Sequence, residues 1–111
     1  MEMTVERIGE ITRVAPKGNI DSSTAAAFGE RLKSVIVSGC NRLIVDMKDV
    51  AYISSAGFRI LLLAAKRADE TESRLVLCGV SGRVRHLFDL GGFLDLFPIA
   101  GSRDEGISVA G

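Results

Sequence analysis

Residues 43–68 read Leu43-Ile44-Val45-Asp46-Met47-Lys48-Asp49-Val50-Ala51-Tyr52-Ile53-Ser54-Ser55-Ala56-Gly57-Phe58-Arg59-Ile60-Leu61-Leu62-Leu63-Ala64-Ala65-Lys66-Arg67-Ala68. Two rhythms meet in this stretch. Leu43–Met47 is a short apolar run with β-branched residues, the pattern of a strand covered on both faces. From about Ser55 to Thr71 the period is helical: Phe58, Leu61, Leu62, Ala65 and Ala68 share one face, and Lys66, Arg67, Asp69 and Glu70 lie opposite. Between them, Val50–Gly57 reads as a polar loop that leads from strand into helix. Ile60, Leu63 and Ala64 fall off the main apolar stripe, so this helix is either buried on two sides or presents an apolar patch to a partner.

The alternation continues on both sides. Upstream, Ala25, Phe28, Leu32, Val35 and Ile36 form one buried helical face, with Glu30, Arg31, Lys33 and Ser34 toward water and Gly39 as the stop. Residues 3–17 read as a hairpin turning near Gly9. Downstream, Leu75–Cys78 is a second buried strand, and Ser81 caps a third helix with Val84, Leu87 and Phe88 inside and Gly91-Gly92 at its end. Leu96-Phe97-Pro98-Ile99 is a weaker strand, and its proline suits an edge. A last short helix is expected from Ser102, where Ser102 and Glu105 have capping-box spacing. The expected order, β-β-α-β-α-β-α-β-α, is an α/β sandwich: a mixed sheet with helices packed on it.

Composition narrows the function. The 111 residues carry 14 Lys+Arg against 14 Asp+Glu, so the expectation is one domain, 1–111, without the positive field that nucleic-acid binding requires. The start, Met1-Glu2-Met3-Thr4, lacks a basic and then apolar leader, and the longest apolar run, Ile60–Ala65, is far short of the roughly 20 residues of a membrane span. A cytoplasmic protein is expected. Cys40 and Cys78 have no metal-ligand spacing, and His86 stands alone on a helix surface, so no cofactor or metal is expected. No phosphate-binding glycine loop, catalytic carboxylate pair or nucleophile elbow is present, which argues against an enzyme.

A second polar stretch, Gly18-Asn19-Ile20-Asp21-Ser22-Ser23-Thr24, also runs from strand into helix. Its Asp, Ser and Thr suit helix capping, because their oxygens accept free amide protons. Loops of this kind also sit at the carboxyl ends of strands, where α/β proteins place their sites.

The segments Gly18-Asn19-Ile20-Asp21, Leu43–Met47, Tyr52-Ile53-Ser54-Ser55-Ala56-Gly57-Phe58 and Val84-Arg85-His86-Leu87-Phe88-Asp89 together resemble, in order and spacing, the STAS domain of bacterial anti-sigma factor antagonists. The resemblance implies a partner switch. The unmodified antagonist binds an anti-sigma factor serine kinase, the kinase phosphorylates one serine, the complex dissociates, and a serine phosphatase restores binding. It places the acceptor at Ser55. The family pattern has an acid before the acceptor where this chain has Ser54, which leaves Ser54 as a rival. The implied partner surface comprises Asn19, Asp21, Ser22, Ser54, Ser55, Ala56, Gly57, Phe58 and Arg59. Asp21 would position the acceptor or the partner's nucleotide, or cap the first helix, and Asp46 lies on the strand entering the same loop. Gly57 lets another backbone approach the acceptor or serves helix-to-sheet packing. Arg59, where the family more often has a small residue, would contact the phosphate or set partner choice. The same domain is also similar to the accessory subunit of lipid-transport ATPases, which would make the chain a stabilising partner of a nucleotide-binding subunit.

Overall fold

The computed structural model describes residues 1–92, 97 and 99–100. Strands β1 (Glu2–Ile8) and β2 (Ile11–Ile20) form an antiparallel hairpin that closes at Ile8↔Ile11. Gly9 turns it with φ +61, a left-handed conformation open to glycine at little cost. There follow α1 (Ala25–Val37), β3 (Arg42–Asp46), β4 (Val50–Ile53), α2 (Ser55–Glu70), β5 (Arg74–Cys78), α3 (Gly82–Leu90) and β6 (Ile99–Ala100).

The class is the expected mixed α/β sheet with helices, but the order differs from the one expected by an added strand. Val50–Ile53, read from sequence as part of a loop, is β4. Its two ends are buried and its middle residues exposed, so it lacks the period-two alternation that marks a strand in sequence. Pairing with the far end of β2 makes it one. Gly18, Asn19 and Ile20 likewise belong to β2, which shortens the first polar loop to residues 21–24. The expected helix from Ser102 lies outside the described residues, as do Leu96 and Pro98.

The sheet runs β1-β2-β3-β5-β6, with β4 paired to β2 off this path. From β2 onward the strands of that path are parallel, and β6, which takes in Ile99 of the expected fifth strand, ends the path. Parallel strands buried on both faces explain the unbroken apolar runs of β3 and β5. Leu43, Val45, Leu75 and Leu77 join the main core with Phe28, Leu32, Leu61 and Phe88 of the helices, while Ile44, Val76 and Cys78 form a second cluster with Ile11.

The buried face of α1 is the expected one, Ala25, Phe28, Leu32, Val35 and Ile36. In α2 the buried set is Gly57, Phe58, Leu61, Ala64 and Ala68, while Leu62 and Ala65 are only partly covered. The stripe is rotated because α2 packs on α1 as well as on the sheet. Ile60 reaches the partner helix, with its Cδ1 2.9 Å from where a Cβ on Gly29 would stand. Leu63 remains about half exposed, at 49%. Ser81 caps α3 as expected, accepting from the Val84 amide at 3.2 Å.

One buried polar contact has no sequence signal. Arg13 of β2 donates from Nε and Nη2 to Oδ2 of Asp46 at the end of β3, at 3.0 and 2.8 Å, and both side chains are buried. Oδ1 of Asp46 accepts from the Lys48 amide at 3.1 Å. Asp46 is therefore committed to holding two strands and the turn that follows them.

Candidate functional site

Strand β4 runs parallel to the end of β2, with Asn19↔Tyr52 and Ile20↔Ile53 in register after a shift between Gly18 and Asn19. Because the two strands point the same way, their carboxyl ends meet. The Ser54 amide donates to the Ile20 carbonyl at 2.8 Å, so the turn before α1 and the first turn of α2 share one corner. The two polar stretches of the sequence, more than thirty residues apart, are neighbours for this reason.

The first half of the corner is built around Asp21. Its Oδ1 accepts from the Ser23 amide at 2.9 Å and from the Ser23 hydroxyl at 2.6 Å. Thr24 Oγ1 donates to the Asn19 carbonyl at 2.8 Å and accepts from the Asp21 amide at 3.0 Å. Short polar side chains that bond their own backbone stabilise turns in this way. The Ser23 donors hold the Asp21 carboxyl below the usual aspartate range. Asp21 is not the cap of α1: Thr24 occupies the N-cap without a side-chain cap bond, and the Asp21 carboxylate orders the turn one step earlier. Thr24 is a site-ordering residue that sequence reading left among generic cap candidates. Asn19 and Ser22 are exposed.

The second half is the start of α2. Ser54 is its N-cap, with extended backbone and an Oγ that accepts from the Gly57 amide at 3.4 Å. Ser55 is the first helical residue, exposed, and its hydroxyl makes no hydrogen bond among the described residues. Ala56 is half-buried. A Cβ on Gly57 would stand 2.6 Å from Cγ1 of Ile53, 2.8 Å from Cγ2 of Ile20 and 3.1 Å from the Ile20 carbonyl oxygen. Of the two readings of Gly57, tight helix-to-sheet packing is the one the structure shows. Phe58 turns inward and meets the Phe88 ring edge-on, with centroids 4.8 Å apart, so its side chain belongs to the core and not to an exposed surface. Arg59 is exposed and has no hydrogen-bond or ion-pair partner among the described residues.

Tyr52, 38% exposed and opposite Asn19 on β4, was missed as a residue of this corner because its strand was read as loop. Asp46, bonded to Arg13 and the Lys48 amide, serves the sheet. His86 is exposed on α3, and Cys40 and Cys78 are not joined in a disulfide. Among the described residues no group of three or more His, Cys, Asp or Glu could hold a metal ion, and no helix is long and apolar enough to cross a membrane.

A mixed sheet in this order with helices packed on it is the fold of a STAS domain. Residues 2–106 match that family, and the chain belongs to it. Its group within the family is the anti-sigma factor antagonists. The chain is 35% identical over 104 residues to BtrV of Bordetella bronchiseptica, named provisionally as an anti-sigma factor antagonist, covering 94% of this chain and 90% of that one. In fold it is similar to an anti-sigma factor antagonist from Mycobacterium paratuberculosis, with TM-score 0.89, 21% identity, and coverage of 98% of this chain and 92% of that one. It is also similar to the phosphorylated form of the Bacillus cell fate determinant SpoIIAA, with TM-score 0.73, 17% identity, and coverage of 97% and 98%.

Proposed function

We propose that this chain is the switched component of a phosphorylation-controlled partner exchange, binding an anti-sigma factor serine kinase when Ser55 is unmodified and leaving it when Ser55 is phosphorylated. It acts in the cytoplasm as the substrate of the kinase and of a serine phosphatase, with no catalytic chemistry or cofactor of its own. The observation that carries the reading is the unequal state of the two candidate serines. Ser54 caps the helix through its oxygen, whereas the hydroxyl of Ser55 is exposed and uncommitted. A kinase needs a hydroxyl that can reach a γ-phosphate without unravelling the helix that bears it.

The physical consequences fit a switch. A phosphoserine carries about −1.5 to −2 charges, and at the first position of a helix the free amides and the dipole favour it by roughly 0.3 to 2 kcal/mol. The domain keeps its fold when modified. A partner docked across Asn19, Asp21, Ser22 and the start of α2 must then desolvate a dianion and meets it with any acidic group it places opposite. The interface changes while the sheet and helices stay as they are.

The test is incubation with ATP and the anti-sigma factor kinase that co-purifies with the chain, followed by site-resolved mass spectrometry. One phosphate at Ser55 and dissociation of the complex are expected. Phosphate at Ser54 alone, or none at either serine, overturns the assignment.

A further inference from the structure

Ser55 and Arg59 are four residues apart on one helix, at its first and fifth positions. Side chains at that spacing are neighbours on the helix surface, with Cβ atoms roughly 5–6 Å apart. The Cα–Cβ bonds of a helix tilt toward its N-terminus, so a long side chain at position 59 covers the surface above residue 55. An acid placed four residues before a base is the favourable orientation of such a pair. Arg59 is exposed and holds no partner among the described residues, so none of these competes for its guanidinium. Asp21, across the corner, already has its carboxylate engaged by Ser23, and the charged residues of α3, which packs on β4, are Arg83, Arg85, His86 and Asp89.

We infer that Arg59 is an intramolecular clamp for the phosphoryl group of phosphorylated Ser55. The inference rests on the reading of Ser55 as acceptor. A guanidinium presents two parallel N–H donors to phosphate oxygens, a geometry that an ammonium cannot supply. Before modification Arg59 is a free cation on the surface a partner meets. After modification the same cation is held by the chain's own phosphate. One phosphorylation therefore changes the docking surface twice, by adding a dianion and by withdrawing a cation, and part of the new charge is neutralised within the helix.

The test separates the clamp from the identity of the kinase. Phosphoserine is introduced directly at position 55 by nonsense suppression in the full chain, alone and together with Arg59→Ala or Arg59→Lys. The second ionisation of the phosphate is then followed by phosphorus NMR against pH. Arg59 favours the dianion, so the midpoint is expected to rise by about 0.3 of a unit or more in Arg59→Ala, with Arg59→Lys between. Asp21, the charged residues of α3 and the helix amides are the same in all three chains, so the difference belongs to position 59. The Arg59 Nε–H resonance should shift on phosphorylation and not in the Ser55 chain. Equal midpoints in the three chains, each with an unchanged unfolding midpoint, overturn the clamp. That result leaves the kinase assay above untouched, and a failed kinase assay leaves the clamp measurable.

Discussion

Gly57 of α2 lies against Ile20 of β2 so closely that a β-carbon at position 57 would stand 2.8 Å from Cγ2 of Ile20 and 3.1 Å from its carbonyl oxygen. That carbonyl also accepts the Ser54 amide, so the same peptide group fixes both the distance and the direction of the helix start. Gly57→Ala gains up to about 1 kcal/mol of helix propensity. Against this, the obstructing atoms are backbone and the branched stems of Ile20 and Ile53, which cannot rotate away, and overpacking of this kind costs about 1–3 kcal/mol. The expected outcome is a net loss of stability, read as a lower urea midpoint with unchanged slope. Chemical-shift changes should concentrate in residues 19–24 and 53–58, the two sides of the corner.

Arg13 and Asp46 are a buried pair whose value depends on both members. Asp46→Ala strands the guanidinium under the sheet, and breaking such a pair costs about 3–5 kcal/mol. Replacing both by apolar residues of similar volume, Arg13→Met with Asp46→Leu, removes the stranded charge and should recover most of the loss. The Lys48 amide would still lack its acceptor, so recovery is expected to be incomplete. Equilibrium unfolding of Arg13→Met, Asp46→Leu and the double variant measures the coupling. Additive losses in the double variant would contradict a pair that acts as a unit.

Asp21 gives the corner a pH dependence with a defined sign. Its folded pKa is lowered, first by the hydrogen bond from the Ser23 side chain and then by the Ser23 amide. A depressed carboxylate contributes stability that is present above its unfolded pKa of about 3.9 and is lost as pH falls through the lower folded value. A carbon-13 NMR titration should place the Asp21 midpoint below the ordinary aspartate range, and Ser23→Ala should return it toward that range. Asp21→Asn should show a shallower loss of stability than the native chain as pH falls through the same interval.

Much of this architecture is legible in sequence because it depends on local patterns. The buried face of α1, the Ser81 cap and the apolar runs of β3 and β5 each follow from a period or a cap residue within a few positions. What escapes is what partners decide. Val50–Ile53 is a strand because the end of β2 pairs with it, and the stripe of α2 is rotated from Leu62 toward Ala64 because α1 covers its other side. Arg13 in a hairpin strand looks like an ordinary exposed cation until β3 brings Asp46 beside it. Ser54 and Ser55 were already singled out by their motif, but the difference between them is geometric: one is the cap and the other the first residue of the helix.

That difference predicts opposite behaviour for two adjacent alanine variants. Ser54→Ala removes an N-cap oxygen, which costs about 0.5–2 kcal/mol, and the 3.4 Å contact to the Gly57 amide puts the expected loss toward the lower end. It should leave phosphate uptake at Ser55 in place. Ser55→Ala removes a hydroxyl that bonds nothing among the described residues, so its unfolding midpoint should match the native chain while phosphate uptake disappears. Its complex with the kinase should then persist in the presence of ATP. Ser55→Asp adds about one negative charge where phosphate would add nearly two, so it should weaken that complex without abolishing it. A loss of about tenfold corresponds to about 1.4 kcal/mol at the interface, within reach of titration calorimetry. A Ser55→Asp chain that binds the kinase as tightly as the native one would show that charge at this position is not what separates the partners.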